Sequence, residues 1–181
     1  MLAIANGGVP VAIPIADSLA APLELLIIRR LFIRDGRALC AVSVSGQIVV
    51  DSDSTPLSSI EEQFKQEALN GLCVRSEFLR ASLTAKNLAG RNIILVDNGV
   101  HTGSTIQIAV TALRKLRPQT ITVAVPVADA ARKESIESVA DEVVCLQWCD
   151  QFGHTGLWYK SFNRPSDEAI RALLSAIPAH D

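Results

Sequence analysis

The sequence predicts an α/β fold built on a doubly wound parallel sheet, with an inserted flexible arm and a small C-terminal hood. Continuous apolar runs alternate along the chain with segments of helical periodicity, a pattern typical of parallel strands that helices cover on both faces. The 181 residues suit one domain, and they contain no internal repeat or low-complexity linker. We therefore expect a single domain over residues 1–181, with the arm at about 35–90 and the hood at about 147–181.

The first predicted unit is a strand, a glycine turn and a helix. The apolar residues 1–5 lead into Asn6, Gly7 and Gly8. Pro10 then falls near the first position of a helix, where proline is favoured. The side chains expected to face the core from this helix are Val11, Ile15 and Leu19.

A second strand and a hairpin follow this helix. The apolar run 23–28 predicts the strand, which Arg29 and Arg30 close. Alternating apolar residues over 41–50 predict a hairpin that turns near Gly46. The hairpin lies in the predicted arm, and a long excursion between two sheet strands usually serves a site or a partner.

The rest of the arm is predicted to be helical. Ser58 or Ser59, followed by acidic residues, has the capping signal of a helix start. The helical pattern extends to Leu83 or beyond, and Asn70 and Gly71 predict a break within it.

Strands and helices are predicted to alternate again from residue 92 to the carboxyl end. Apolar spacing at Ile108, Leu113 and Leu116 predicts one helix, and Ser166 with two following acidic residues caps another. The expected elements are strand 92–96, helix 104–116, strand 120–125, helix 128–139, strand 142–146 and helix 166–176.

Composition excludes several classes of protein. The net charge is -2 with acids and bases interspersed, which argues against a nucleic-acid surface or a polybasic membrane patch. The chain has no apolar run long enough to span a membrane, and its amino terminus lacks the pattern of a signal peptide. We expect a cytoplasmic protein that binds neither nucleic acid nor membrane.

The four cysteines are too few and too scattered for a disulfide scaffold. Cys145 and Cys149 lack the further cysteine pair or histidine cluster of a zinc site. We expect Cys145 to pack inside a strand and Cys149 to be a loop thiol.

The segment from Asp97 to the next helix carries the main chemical signal. A hydrophobic strand ends at Asp97, and the loop and helix start that follow combine glycines with hydroxyl side chains. Amide groups at a helix start attract phosphate, and a carboxylate accepts hydrogen bonds from a sugar diol. Together they predict a ribose-phosphate site formed by Asn98, Gly99, Val100, His101, Thr102, Gly103, Ser104 and Thr105.

Two other nucleotide-binding loops do not fit this spacing. The chain has neither the Walker pattern of a P-loop nor the G-x-G-x-x-G of a dinucleotide-binding turn. A capped helix with a polar first turn, without any ligand, would give a similar local pattern.

The sequence VDNGVHTGST, residues 96–105, resembles the motif with which type I phosphoribosyltransferases bind 5-phosphoribosyl 1-pyrophosphate (PRPP). NGGVP after the first strand resembles the pyrophosphate loop of that family, and the arm and hood lie where the family has a flexible catalytic arm and a base-covering hood. GGVPVA, AVPVA, DEVVCL and GLWYxxF are similar to a poorly characterised bacterial branch of the family.

The resemblance implies roles for individual residues. Asp97 would bind the ribose hydroxyls and stabilise positive charge as pyrophosphate leaves. Residues 98–105 would wrap the 5-phosphate, and the turn with Asn6, Gly7 and Gly8 would bind pyrophosphate. Mg²⁺ would bridge pyrophosphate and ribose oxygens, with Asp97 as its protein contact, directly or through ribose or water.

The chain departs from the family pattern at two positions. Asn98 stands where the family has a second acidic residue, and Asn6 stands where many relatives have a basic one. Arg29 or Arg30 would compensate for the second departure, or both would simply be a solvated strand end. His101 occupies a loop position near the base in the family, where it would exchange a proton with a base nitrogen or only face solvent.

Aromatic residues of the hood are candidates to stack on a planar base. Phe152 is the first choice and Trp148 the second, whereas core packing is the stronger expectation for Trp158 and Tyr159.

The predicted function is Mg²⁺-dependent transfer of the phosphoribosyl group from PRPP to a nitrogenous, purine-like base, with release of pyrophosphate. A homodimer is expected, as is common for this kind of domain. The alternative is a non-catalytic regulatory protein that binds PRPP or a nucleotide in a degenerate site, which Asn98 and Asn6 favour. A lyase or hydrolase acting on ribose phosphates ranks last, since no paired carboxylates are visible.

Overall fold

A computed structural model describes residues 1–5, 7–32, 38–51, 58–80 and 87–177. Its centre is a seven-stranded sheet in the order β4-β3-β2-β1-β5-β6-β7. The strands are β1 (Leu2–Ile4), β2 (Glu24–Phe32), β3 (Ala38–Val44), β4 (Gln47–Asp51), β5 (Asn92–Val96), β6 (Thr120–Asp129) and β7 (Glu142–Cys149). The helices are α1 (Gly8–Ser18), α2 (Ser59–Leu79), α3 (Ser104–Lys115), α4 (Lys133–Glu137) and α5 (Asp167–Ser175).

The sheet confirms the predicted doubly wound α/β fold. Strands β2, β1, β5, β6 and β7 pair in parallel. At one edge β3 pairs antiparallel with β2, and β4 pairs antiparallel with β3 to complete a hairpin. Helices α3 and α4 contribute to one apolar core, while α1, α2 and α5 contribute to the other. Both faces of the sheet are therefore covered, which explains why its strands read as continuous apolar runs.

The order of the strands determines where a crevice forms at the edge of the sheet. The chain leaves β1, forms β2 on one side of it, and later returns to form β5 on its other side. The loops after β1 and β5 therefore start side by side and diverge, which leaves a crevice at the carboxyl ends of the strands.

Helix α1 differs from the prediction in the face it buries. Leu19 was expected to face the core, but it follows the end of the helix and is 56% exposed. The fully buried positions are small or branched, with Val9, Ala12 and Ala16 packed against the sheet. Small residues let the helix approach the strands closely, so Val11 and Ile15 are only half-buried at its flanks.

The arm is more regular than predicted. β2 continues past residue 28 to Phe32 because β3 pairs with it from Leu26 to Phe32, so the arginines lie within a strand. The hairpin turns at 45–46, as predicted. The predicted helix start at Ser58 is confirmed by a capping box with Glu61.

Helix α2 runs without a break through Asn70 and Gly71, contrary to the prediction, and ends at Leu79. Gly71 is tolerated because its position is open, with no neighbouring atom near where a side chain would start. Residues 81–86, which include the predicted end near Leu83, lie outside the described part of the chain.

β6 and β7 are both longer than predicted. β6 reaches Asp129 in register with Cys149, so the segment expected to be a helix from residue 128 begins as strand. Asp129 then caps a short 3-10 turn through the amide of Ala131, at 3.0 Å. Cys149 is consequently a buried strand residue packed near Phe152, and its assignment as a loop thiol was wrong.

A buried ion pair joins the beginning of β2 to the end of α2. A guanidinium nitrogen of Arg80 lies 3.0 Å from a carboxylate oxygen of Glu24, and both side chains are almost fully buried. The hydroxyl of Ser45 donates to the other carboxylate oxygen of Glu24 at 3.1 Å. These contacts tie the arm to the sheet at the end opposite the crevice.

In the part of the chain that the structure describes, no helix is long and apolar enough to cross a membrane.

We predict that Glu24→Gln destabilises the protein by about 3 kcal/mol, because it leaves the buried guanidinium of Arg80 without its countercharge. Urea unfolding at neutral pH measures the change. The matched control is Glu137→Gln, which breaks an exposed pair with Lys133 and should cost less than about 0.5 kcal/mol. Equal effects of the two variants would contradict the assigned role of the buried pair.

Candidate functional site

The candidate site is the crevice between the loops after β1 and β5. The loop after β5 runs from Asp97 to Gly103 and is fixed to the neighbouring strand by main-chain hydrogen bonds. The Val100 amide donates to the Val127 carbonyl at 3.0 Å, and the Val100 carbonyl accepts from the Asp129 amide at 2.9 Å. The Val100 side chain is buried in the core. The loop is therefore preorganised by the sheet.

Helix α3 begins at this loop without a side-chain cap. Its N-cap is Gly103, which has a φ of 78° in the left-handed region where glycine is favoured. The first amides of a helix have no intrahelical acceptor, and the helix dipole attracts negative charge to them. The amides of this turn are thus open to an anion.

The hydroxyls of this turn form a connected group with an arginine. Thr102 Oγ1 and Ser104 Oγ are 2.9 Å apart. Arg30 donates from Nη2 to Thr105 Oγ1 at 2.8 Å and to Ser104 Oγ at 3.1 Å. Arg30 therefore brings a positive charge from β2 to the start of α3 and is not simply a solvated strand end.

The glycine turn after β1 packs directly against the loop after β5. A Cβ atom on Gly7 would overlap the side-chain amide of Asn98, and one on Gly8 would lie 2.5 Å from the Val96 carbonyl oxygen. Glycine is required at position 8, where the neighbour is backbone, whereas a side chain at position 7 would displace that of Asn98. Asn6, the third residue of the predicted pyrophosphate-binding turn, lies outside the described residues.

Two cavities lie on either side of this packed junction. The larger, of about 410 Å³, is lined by Gly7, Arg29, Arg30, Arg75, Asp97, Asn98, Thr105 and Arg164, among others. The smaller, of about 200 Å³, is lined by residues 97–103, Thr105, Ile106, Thr155 and Arg164. Four residues border both cavities, Asp97, Asn98, Thr105 and Arg164, so they lie where a ligand spanning the two would have its middle.

Asp97 is the single carboxylate among the described residues that line either cavity. It is only 9% exposed, and this burial raises the pKa of its carboxyl to about 7. The amide of Asn98, which donates to Asp97 Oδ1 at 2.8 Å, and the nearby charge of Arg164 oppose that rise. The carboxylate is thus short of partners and suited to accept hydrogen bonds from a bound ligand.

The surrounding charge is positive. Arg29 and Arg30 reach the larger cavity from β2, Arg75 from α2, and Arg164 from the hood. Arg75 is compensated by Asp167, whose carboxylate lies 2.8 Å away. The other three guanidinium groups around one carboxylate favour a ligand with several negative charges.

The hood contacts the loop after β5 through aromatic residues. Tyr159 donates its hydroxyl to the Asn98 carbonyl oxygen at 2.5 Å. The rings of His101 and Phe152 are stacked with centroids 5.8 Å apart, and those of Phe152 and Trp158 with centroids 6.2 Å apart. Phe152 is thus the middle ring of three and only 3% exposed, while the outer two rings reach solvent.

Trp148 is not brought to the site. It packs against the core on the α3 side of the sheet, with Lys133 Nζ 5.8 Å from the centroid of its ring. Neither cavity is lined by it. The predicted roles of Phe152 and Trp148 in base stacking stay predictions.

Sequence reasoning missed three residues that complete the site. Arg164 borders both cavities, Arg75 lines the larger one, and Tyr159 fixes the Asn98 carbonyl. Arg75 lies on a helix assigned to the arm, and no motif marks it. Tyr159 and Arg164 lie in or next to a stretch rich in aromatic residues. That composition indicated core packing and gave no sign of the hydrogen bond of Tyr159 or of the position of Arg164 at the cavities.

The described residues contain no cluster of three or more histidines, cysteines or acids that could hold a metal ion. With Asp97 as the carboxylate available, a Mg²⁺ ion here would depend on phosphate oxygens and water for its remaining ligands. This suits Mg²⁺, which commonly binds through one or two carboxylates together with substrate phosphates.

Comparisons with known proteins agree on one family. The sequence profile described as the phosphoribosyl transferase domain matches residues 1–160. Proteins from two Mycobacterium tuberculosis strains, provisionally named phosphoribosyl transferases, are each 31% identical over 180 residues. The match covers 96% of this chain and 41% of each relative, so the chain spans about two fifths of their length.

One solved structure shares the fold over most of this chain. The crystal structure of the protein TT1426 from Thermus thermophilus superposes with a TM-score of 0.80 at 28% identity, covering 96% of this chain and 85% of that one. A purine phosphoribosyltransferase from Pyrococcus horikoshii is more distant, with a TM-score of 0.44 at 16% identity over 80% of this chain and 68% of that one. That second likeness is too weak to bear on substrate.

We predict that the free energy of unfolding falls as the pH rises from about 4 to about 7, in part because of Asp97. Its carboxyl ionises near 3.8 when unfolded and near 7 when folded, so the unfolded state loses its proton first and is favoured. The contribution is on the order of 2–4 kcal/mol, at about 1.4 kcal/mol per pKa unit.

Asp97→Asn retains an acceptor for the Asn98 amide and removes the titration. Urea unfolding at pH 5 and pH 7.5 should show a smaller loss for this variant than for the wild type. Parallel losses in the two proteins would contradict the assigned burial of the carboxyl.

Proposed function

The chain belongs to the phosphoribosyl transferase domain family, and we propose that it is a Mg²⁺-dependent enzyme that transfers the 5-phosphoribosyl group of PRPP to a nitrogenous base. The proposed acceptor is a purine-like ring, and the second product is pyrophosphate. In this reaction the bond between ribose C1 and a pyrophosphate oxygen breaks, a base nitrogen bonds to C1, and that nitrogen gives up a proton.

The observation that carries the proposal is the position of Asp97 between two cavities of different character. One side has the uncapped start of α3, with the hydroxyls of Thr102, Ser104 and Thr105. The other side has the glycine turn and Arg29 of β2. PRPP has the same order of groups, with a phosphate at one end, a ribose diol in the middle and a pyrophosphate at the other end.

Each group of residues then has a defined task. The amides and hydroxyls of residues 102–105 hold the 5-phosphate, and Arg30 adds charge there. Asp97, once ionised, accepts hydrogen bonds from the ribose diol. The same carboxylate stabilises the positive charge that develops on the ribose as pyrophosphate departs.

Mg²⁺ would supply further positive charge to the pyrophosphate oxygens and so aid their departure. Arg29 lines the same cavity and would neutralise part of the remaining charge, whereas Arg75, also in its lining, is paired with Asp167. His101 lies at the mouth of the smaller cavity, where it would accept the proton that the base gives up.

A non-catalytic protein that binds PRPP or a nucleotide is the second candidate, and Asn98 favours it. This residue lies beside Asp97 and against Gly7, and its side chain brings no negative charge to the developing cation. Loss of one such charge in a partly dry site slows chemistry more than binding.

We also propose that the protein is a cytoplasmic homodimer. The proposal of a homodimer follows from the resemblance, because domains of this kind are commonly homodimers. Light scattering at micromolar concentration measures the oligomeric state directly.

We predict that PRPP binds in a Mg²⁺-dependent manner and more tightly than ribose 5-phosphate, because the arginine-lined cavity adds contacts to the pyrophosphate. Titration calorimetry with and without Mg²⁺ measures both affinities. Asp97→Ala should weaken PRPP binding about 10- to 100-fold, the value of hydrogen bonds to a charged group. Equal affinities for PRPP and ribose 5-phosphate would mean that the protein binds only the ribose 5-phosphate part and has no working pyrophosphate site. No binding of either ligand would refute the proposal.

We predict release of pyrophosphate when PRPP and Mg²⁺ are supplied with a panel of purine and related bases. At least one base should support turnover, and Asp97→Ala should abolish it. A coupled pyrophosphate assay follows the reaction. Tight PRPP binding without turnover on any base would instead support the regulatory alternative.

A further inference from the structure

The hood segment 159–167 is held at both of its ends by side-chain contacts. At its start, the Tyr159 hydroxyl donates to the Asn98 carbonyl oxygen at 2.5 Å. At its end, Asp167 accepts two hydrogen bonds from Arg75 of α2, Nε to Oδ2 and Nη2 to Oδ1, both at 2.8 Å. Residues 159–166 between these contacts form neither helix nor strand.

Arg164 lies between the two anchors. It lines both cavities and is otherwise exposed. The positive charge of Arg164 partly opposes the rise that burial causes in the pKa of Asp97. The hood thus carries one guanidinium group to the place where the two cavities meet.

We propose that Tyr159 and Asp167 are positioning residues that hold Arg164 over the junction of the cavities, where its guanidinium meets an anionic sugar phosphate. The inference rests on the proposed function, since it takes the ligand to be of that class.

The need for anchors follows from chain entropy. An irregular segment on the surface samples many conformations, and fixing each residue costs about 1–2 kcal/mol. If the segment became ordered only on ligand binding, this entropic cost would reduce the free energy of binding and weaken the affinity. Contacts already made in the free protein remove most of it, so Arg164 is ready to bind.

Both anchors keep their protonation state through the neutral range. Burial and the neighbouring Asp97 raise the pKa of Tyr159 to about 12, so its hydroxyl stays a donor. The hydrogen bonds from Arg75 lower the pKa of Asp167, which therefore stays a carboxylate. A bidentate pair with a guanidinium also fixes orientation, which a single contact would not do.

The contact of Asp167 is separate from the capping of α5. Ser166 caps that helix through the Ala169 amide at 3.2 Å. Glu168 shares the acidic first turn, and its carboxylate is hydrogen-bonded locally, with Ser166. Glu168→Gln therefore removes the same charge from the same turn and leaves the pair with Arg75 intact.

A double-mutant cycle tests whether Asp167 acts through Arg164. PRPP affinity is measured by calorimetry with Mg²⁺ for the wild type, Asp167→Asn, Arg164→Ala and the double variant. We expect Arg164→Ala to weaken binding about tenfold or more and Asp167→Asn about three- to tenfold. The double variant should bind as Arg164→Ala does, because residues in one network are not additive. Glu168→Gln should match the wild type.

Additive losses in the cycle, or unchanged affinity in Asp167→Asn, would overturn the proposal. A wild type that binds no PRPP would refute the proposed function, and the anchoring would then be decided without ligand. For that purpose, hydrogen exchange of the amides in 159–167 is compared in ligand-free variants. Exchange should rise in Tyr159→Phe and Asp167→Asn but not in Glu168→Gln, and unchanged exchange in the first two would overturn the anchoring.

Discussion

The whole arrangement depends on the pairing of the shortest strand, β1, with a neighbour on each side. Its three residues, Leu2, Ala3 and Ile4, are all buried, and they join β2 to β5. Without this strand the sheet would divide into an arm half and a carboxyl-terminal half. The same pairing brings the glycine turn after β1 beside the loop after β5. Structural continuity and the candidate site thus share one short segment of backbone.

Charge is distributed unevenly around that junction. One carboxyl group is buried where few groups stabilise its ionised form, and four arginines reach the larger cavity from three different parts of the chain. Asp97 comes from the rigid sheet, whereas Arg164 comes from an irregular segment held by side chains. The fixed part of the site therefore provides its acid, and the part most easily displaced provides one of its arginines.

Much of the fold could be predicted from the sequence because local signals and burial agreed there. The strands at 92–96 and 120–125, the helix start at Ser58 and the cap at Ser166 have periodicity and capping residues that tertiary contacts reinforce. The errors arose where pairing with a distant strand decided the outcome. β2 is extended by β3, and β6 and β7 extend each other as far as Cys149. Asn70 and Gly71 gave a helix-breaking signal that the rest of α2 overrides.

The candidate site was likewise predictable where its residues are close together in sequence and not where they are distant. The segment 97–105 is contiguous, so its residue types could be interpreted together. The structure places all of these residues except Ser104 in the lining of the two cavities. Arg75, Tyr159 and Arg164 come from segments that are remote from that loop in sequence. Only the packing of α2 and the hood shows that they meet it, which no local pattern encodes.

The packing of Asn98 against Gly7 also has an evolutionary consequence. Asparagine and aspartate have nearly the same shape, so the glycine turn would accommodate either residue without rearrangement of the backbone. A second carboxylate beside Asp97 would repel the first and favour a shared proton unless a cation lay between them. With an amide there instead, the site keeps one ionisable acid that charges on its own near neutral pH. A site with two neighbouring acids is therefore a single conservative exchange away from the present one.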